Sequence, residues 1–158
     1  MQNSDQAVVK HPSFMPSRLG KDFNMVTLSA SLAVSALPIP TIVLSENGQV
    51  ALANHLAFDL FGSQIIDQHV QAVFRQPDLL SAINDVLRTR VGRVAKYATT
   101  VGQSNVTFDV HISPADGHSV LTFLDASDAN DLDAFRREFV ANVSHELRTP
   151  LASLSGFI

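Results

Sequence analysis

The stretch Thr41-Ile-Val-Leu-Ser-Glu-Asn-Gly-Gln-Val-Ala-Leu-Ala53 decides how the rest of the chain is read. Thr41 to Ser45 is a short apolar run rich in β-branched residues, which predicts a buried strand. Glu46-Asn-Gly48 predicts a tight hairpin turn, because Asn-Gly tolerates positive φ at both central positions. Gln49 to Ala53 is the expected return strand.

Downstream of this hairpin, Asn54 can cap a short helix through Phe61, with Gly62 closing it as a C′ residue. Pro77 suits the first position of a second helix, in which Leu79, Leu80, Ile83, Val86 and Leu87 recur at helical spacing up to Arg90. Three strand candidates follow: Arg93 to Val101, Asn105 to Ser113 and His118 to Asp125. In the second of these Val106, Phe108, Val110 and Ile112 alternate with polar neighbours, and Asp116-Gly117 supplies the next turn. Helices grouped between antiparallel strands give an α+β domain: a five-stranded antiparallel sheet with helices packed on one face.

Upstream, Met25 to Ser45 carries no charge and is long enough to raise the question of a membrane span. Pro38 and Pro40 interrupt it and Ser29, Ser31 and Ser35 dilute it, so a helix from Val26 to Ser35, a turn and a strand are expected instead. Met1 to Lys10 is too polar for a signal peptide, and the residues around Pro12, Pro16 and Gly20 read as a mobile lead-in. The chain is expected to be soluble. Hydrophobic residues make up 46% of the 158 and charged ones 16%, enough to build a core and too apolar for bulk disorder. A formal net charge of −4 without a basic block argues against nucleic-acid binding. The absence of cysteine excludes disulfides, thiolate zinc sites, Cys nucleophiles and flavin–Cys photochemistry.

From Leu132 onward the pattern changes. Leu132, Phe135, Phe139, Val143, Leu147, Leu151, Leu154 and Ile158 step by three or four, one apolar stripe along a long helix, with Asp128, Asn130 and Asp131 as N-cap candidates. Nothing else in the sequence is expected to cover this stripe, so a partner helix is required, from a second chain or from beyond Ile158. At about 100° per residue the stripe centres near Phe139 and Leu154 and His145 falls opposite. Thr149 lies one turn above His145 on the same face, Glu138 shares that face, and Glu146 adjoins the histidine toward the flank of the stripe. Pro150 removes a backbone donor one turn above Glu146, where a bend or loosening is expected. Taken alone, His145 reads as an ordinary surface histidine.

The string Phe139-Val-Ala-Asn-Val-Ser-His-Glu-Leu-Arg-Thr-Pro-Leu151 resembles the H-box of HisKA-type sensor histidine kinases, and the preceding segment, roughly Ser35 to Ser127, resembles a PAS sensor domain. Phe74-Arg-Gln-Pro-Asp-Leu-Leu-Ser-Ala-Ile83 and the Ser-Gly-Phe-Ile ending are similar to the phosphate-regulon sensor kinases of proteobacteria. The resemblance implies three regions: 1–35, a flexible lead-in and pre-PAS helix; 36–127, the PAS domain; and 128–158, the start of a HisKA dimerisation and phosphoacceptor domain. It implies that His145 is the phosphoacceptor, Glu146 a general base or orienter of the imidazole, and Thr149 a residue of the reverse, phosphatase, reaction, with Arg148 a weaker candidate for phosphate or partner contact. Asp125-Ala-Ser127 resembles the Asp-x-Thr junction of PAS domains, with Ser for Thr.

The same resemblance implies ATP and Mg²⁺ as cofactors of the parent protein, a homodimer with parallel C-terminal helices, a response-regulator receiver domain as partner, and no nucleic acid. It implies the cytoplasmic portion of a bacterial sensor kinase, compatible with a parent anchored in the inner membrane. PAS domains hold haem, flavin, small metabolites or nothing, and the ligand here is not named by any motif; His55, His69, His111 and His118 show no metal spacing and read as surface or core-edge residues. The seven glycines are scattered singly and form no phosphate loop, so these residues alone are expected neither to hold ATP tightly nor to phosphorylate themselves. The alternative reading is a PAS ligand-binding or dimerisation module with a non-catalytic helical tail. A transcription regulator lacks support, since no helix-turn-helix or basic patch is present.

Overall fold

The computed structural model describes residues 25–126 and 133–155, with side chains placed at 28–126 and 139–152. The lead-in to residue 24, the cap candidates Asp128, Asn130 and Asp131, and Ser127, Leu132 and Ile158 lie outside the described residues, as do the side chains of Phe135, Glu138 and Leu154. The elements run α1 (Met25–Ser35), β1 (Thr41–Leu44), β2 (Val50–Ala53), α2 (His55–Phe61), α3 (Val70–Val73), α4 (Pro77–Thr89), β3 (Arg93–Val101), β4 (Ser104–Ala115), β5 (His118–Asp125) and α5 (Asp133–Ser155), with a 3₁₀ turn at Ser63–Ile65. Five strands form one antiparallel sheet in the order β2-β1-β5-β4-β3. Met25 to Ser45 is the expected helix, turn and strand, and no helix among the described residues is long and apolar enough to cross a membrane.

The helices between β2 and β3 lie on one face of the sheet, as the order of elements implies. Ile42 and Leu44 of β1, Phe108, Val110 and Ile112 of β4, and Leu121 and Phe123 of β5 meet Leu79, Ile83 and Val86 of α4 and Phe74 before it. Phe61, Phe74, Tyr97 and Phe123 pack edge-on or tilted at centroid separations of 5.1–6.0 Å, the favoured geometry for aromatic quadrupoles. α4 begins with Pro77 in its first turn and ends at Arg90, whose left-handed φ of 58° lets its N–H reach the Val86 carbonyl. Gly62 closes α2 through its N–H on the Phe58 carbonyl.

The two turns with matching signals differ. Asp116 and Gly117 both have positive φ, and Ala115 pairs with His118, a two-residue hairpin of the type that suits strand twist. At Asn47-Gly48 only Gly48 is left-handed, the Gly48 N–H bonds the Ser45 carbonyl, and Ser45 pairs with Gln49 across a three-residue loop. The register shift between Val43 and Leu44 takes up the extra residue. Gly48 cannot be exchanged freely, because a Cβ there would sit 2.9 Å from His69 Nε2. His69 belongs to a segment that pairs back on β2, through Val50 N–H to Gln68 and Val70 N–H to Gly48.

Asn54 is fully buried and ties three segments together. Its Oδ1 accepts from the N–H of Ala57, capping α2, and from the N–H of Thr41 at the start of β1, both at 3.0 Å. Its Nδ2 donates to the carbonyls of Ile39 at 2.7 Å and Leu37 at 3.3 Å. Asn54→Ala removes a cap and leaves the buried Thr41 N–H without its acceptor, so urea denaturation should show a loss of roughly 2–4 kcal/mol.

His118 opens β5 and is buried, rather than lying at the edge of the core as its sequence context implies. Its Nδ1 stands 3.2 Å from the Asp116 carbonyl, which only accepts, so the contact selects the Nδ1–H tautomer; Arg90 Nη2 donates to the His118 carbonyl. Desolvation lowers the pKa below 6.5, outweighing the opposing effects of the Asp116 hydrogen bond and the charges of Glu46 and Asp116, while Arg90 adds to the lowering. The unfolded imidazole therefore takes up a proton at higher pH than the folded one. The stability linked to neutral His118 is complete above the unfolded value and is lost as pH falls below it. Melting temperatures measured from neutral to mildly acidic pH should fall more steeply for the unaltered chain than for His118→Gln.

Candidate phosphoacceptor site

α5 carries the residues to which the sequence assigns chemistry. Val143, Leu147 and Leu151 recur every four residues, which places them on one face, and all three are buried. They pack against Ala30 and Val34 of α1 and against Val43, Leu52, Ala115 and Val120, which point from the sheet away from α2–α4; Phe139 is half-buried at the same seam. This corrects the expectation that nothing in the chain can cover the stripe. Its described portion is buried within the same chain, between α1 and the outer face of the sheet. The signal was present in the strands: Ile42-Val-Leu44 and Val120-Leu-Thr-Phe-Leu124 are near-continuous apolar runs, and such strands are covered on both faces.

Burial of that face turns the others outward. His145, Glu146, Arg148 and Thr149 are all exposed, with Ser144 between the two environments. His145 and Thr149, four residues apart, share the open side one turn from each other. Glu146 follows His145 directly and so projects about 100° around the axis; the described hydrogen bonds include none between the two side chains. Arg148 Nε lies 3.8 Å from Asp116 Oδ2 in the β4–β5 turn, a part-exposed ion pair that ties the H-box stretch to the sheet. The helix runs on through Pro150 to Ser155, with one backbone donor missing from its hydrogen-bond ladder.

Two of the other described histidines have separate surroundings. His55 is exposed, His69 Nδ1 accepts from the Gln71 N–H as the cap of α3, a role its sequence context does not announce, and no group of metal-ligating side chains forms among the described residues. β5 ends at Asp125 as the junction motif implies, and the next N–H, of Ala126, bonds the Thr107 carbonyl. A separate cavity of about 320 Å³ opens between α2, the segment after it and β3, lined by Phe61, Ile65, Val73 and Tyr97 with Gln64 and Gln68 as its polar contribution. That volume is at the low end of small-molecule sites, roughly 300–1,000 Å³.

Residues 135–158 match the His Kinase A (phospho-acceptor) domain family, HisKA. Sensor protein SrrB of Staphylococcus aureus (strain NCTC 8325 / PS 47) is 29% identical over 117 residues, which is 72% of this chain and 19% of that protein. The chain thus spans about a fifth of the length of the curated relatives it matches. Among solved structures, the d2 variant of RsLOV superposes with a TM-score of 0.61 at 7% identity, covering 83% of this chain and 84% of the other. The LOV protein of Rhodobacter sphaeroides gives 0.57 at 11%, covering 83% and 93%. These two likenesses concern the fold alone. A five-stranded antiparallel sheet is thus followed by a helix that matches the HisKA family over residues 135–158, in a chain similar to a sensor protein.

Proposed function

We propose that the PAS domain receives a signal and controls phosphorylation of His145 by ATP, with onward transfer to an aspartate on a response-regulator receiver domain. The observation that carries this reading is the split of α5: within the HisKA segment, the seam Val143–Leu147–Leu151 is buried while His145 and Thr149 are open to a docking protein. Neutral imidazole offers one lone pair and one N–H. The lone pair attacks the γ-phosphorus, an N–P bond forms, the bond to the ADP oxygen breaks, and the ring N–H proton must leave. Glu146 is the carboxylate nearest in sequence for that proton, and a rotamer change on an exposed side chain brings it to the ring. Arg148 is held by Asp116 and is available to a phosphoryl group only on release from that contact.

ATP and Mg²⁺ belong on a separate ATP-binding domain, since the scattered glycines offer no phosphate cradle. Thr149 orients water for the reverse reaction, removal of phosphate from the regulator. The working unit is a homodimer paired through its HisKA helices, on the cytoplasmic side of a bacterial cell where ATP and the regulator are found. The cavity beside Tyr97 is the place for a small signal molecule.

Mixing the chain with a purified kinase ATP-binding domain, ATP and Mg²⁺ should yield acid-labile phosphate, and His145→Gln should abolish it; labelling that survives this substitution overturns the assignment. Thr149→Ala should slow dephosphorylation of the regulator about tenfold, one hydrogen bond in the transition state, while leaving autophosphorylation within about threefold. Equal loss of both would make Thr149 a support for the Pro150 turn instead.

A further inference from the structure

The sheet has two edges, β2 and β3, and one short stretch of chain reaches both. Residues 67–70 meet the β2 hairpin through the backbone: Asp67 and Val70 donate their N–H groups to the carbonyls of Val50 and Gly48, and the Val50 N–H donates to the Gln68 carbonyl. The chain then passes through α3 and the buried Phe74 and arrives at β3 with Gln76. There both ends of the Gln76 amide engage the Ala98 backbone. Nε2 donates to the Ala98 carbonyl at 2.5 Å, and Oε1 accepts from the Ala98 N–H at 3.2 Å. Gln76 is the N-cap of α4 yet makes no side-chain cap bond, so its amide is spent on β3 instead. An amide bound in this way offers the donor and the acceptor that a residue of an adjoining strand would offer. We infer that Gln76 stands in for a neighbouring strand and keeps the β3 edge from pairing with the β3 of a second copy of this chain.

The edge that Gln76 occupies is one that invites pairing. β3 has nine residues, and the backbone of Ala98 faces away from β4. Alternation along the ladder turns the N–H and C=O of Val94, Lys96 and Thr100 to the same open side, while Ala95, Tyr97 and Thr99 bond β4. A strand that presents such a row is a template for another strand, and Val94 and Val101 on it are 58% and 46% exposed. The strand is also self-complementary. Turned antiparallel on itself about Ala98, it sets Ala98 against Ala98 of the copy, Tyr97 against Thr99, Lys96 against Thr100 and Ala95 against Val101. The cations Arg93 and Lys96 meet no like charge in that register. Its central pair would be closed by the same N–H and C=O that Gln76 holds, so the amide sits at the point of symmetry. A charged side chain ordinarily discourages an incoming strand, but Lys96 is paired with Asp109 at 2.6 Å. The task therefore falls to Gln76. At the other edge, backbone pairing with residues 67–70 does the same work.

Residue-resolved hydrogen exchange of the unaltered chain reads this contact directly. The Ala98 amide should be at least about fivefold more protected than the amides of Lys96 and Thr100, which face the same open edge. Gln76→Ala should bring Ala98 to their level in dilute solution. At higher concentration the same variant should protect all three amides together, and sedimentation should show association beyond whatever the unaltered chain reaches through its helices. Thr100→Pro removes an N–H that faces away from β4, so it is compatible with the β3–β4 ladder and blocks an incoming strand. Combined with Gln76→Ala, it should return sedimentation to the unaltered pattern, which a role for Gln76 confined to the start of α4 would not predict. An Ala98 amide no better protected than Lys96 and Thr100 in the unaltered chain would overturn the inference, whether or not Gln76→Ala folds. So would a folded Gln76→Ala chain that sediments like the unaltered one at every concentration, or added association that Thr100→Pro leaves in place. None of these readouts involves phosphate or a ligand, so they stand apart from the function proposed above.

Discussion

Asn54 places both ends of its amide on the backbone, and the arrangement of helices around the sheet follows from that. By accepting from Thr41 and Ala57 and donating to Leu37 and Ile39, it joins the start of β1, the first turn of α2 and the link that descends from α1. A buried amide with all these bonds made is stable only in this geometry, since shifting any one segment strands a donor or an acceptor away from water. The link cannot swing, so α1 is set over the outer face of β1 and β2 with Ala30 and Val34 turned toward it. α1 and the outer face of the sheet together form the groove in which α5 sits.

The sheet then works as a partition between two cores of different kinds. On the α2–α4 side large rings and aliphatic chains interlock, and Phe61, Phe74 and Phe123 fill the centre, leaving the cavity beside Tyr97 at one side. On the other side the contacts are small and aliphatic, with buried hydroxyls among them. Close packing of the rings resists change on the first face. β5 lies between the two, buried on both faces through Leu124, with Phe123 in one core and Val120 in the other.

The exposed face of α5 comes from the same partition. A helix that buries one face presents the opposite one, and His145 and Thr149 owe their exposure to Val143, Leu147 and Leu151 more than to any polar contact of their own. Arg148 pairs with Asp116, whose left-handed φ belongs to the two-residue β4–β5 turn.

Local sequence by itself determined the pieces whose cause is local. Pro77 and the spacing of Leu79, Ile83 and Val86 define α4, the alternation from Val106 to Ile112 defines β4, Asp116-Gly117 closes its hairpin, and the 3.6-residue period of α5 puts His145 opposite the stripe. Each depends on neighbours within a turn or a pleat, so the chain shows it directly. Other features were decided only by tertiary structure. Asn47-Gly48 signals a two-residue turn, yet pairing of His69 with the Gln49 strand favours the wider loop and a bulge. Asn54 reads as a cap, and its bonds to Leu37, Ile39 and Thr41 arise from a segment more than ten positions earlier. His118 reads as an edge residue until the strands on both sides bury it. The partner of the α5 stripe is the largest difference: an amphipathic period states that a face must be covered, but which surface covers it depends on where α1 and the sheet meet, and that is a property of the folded whole.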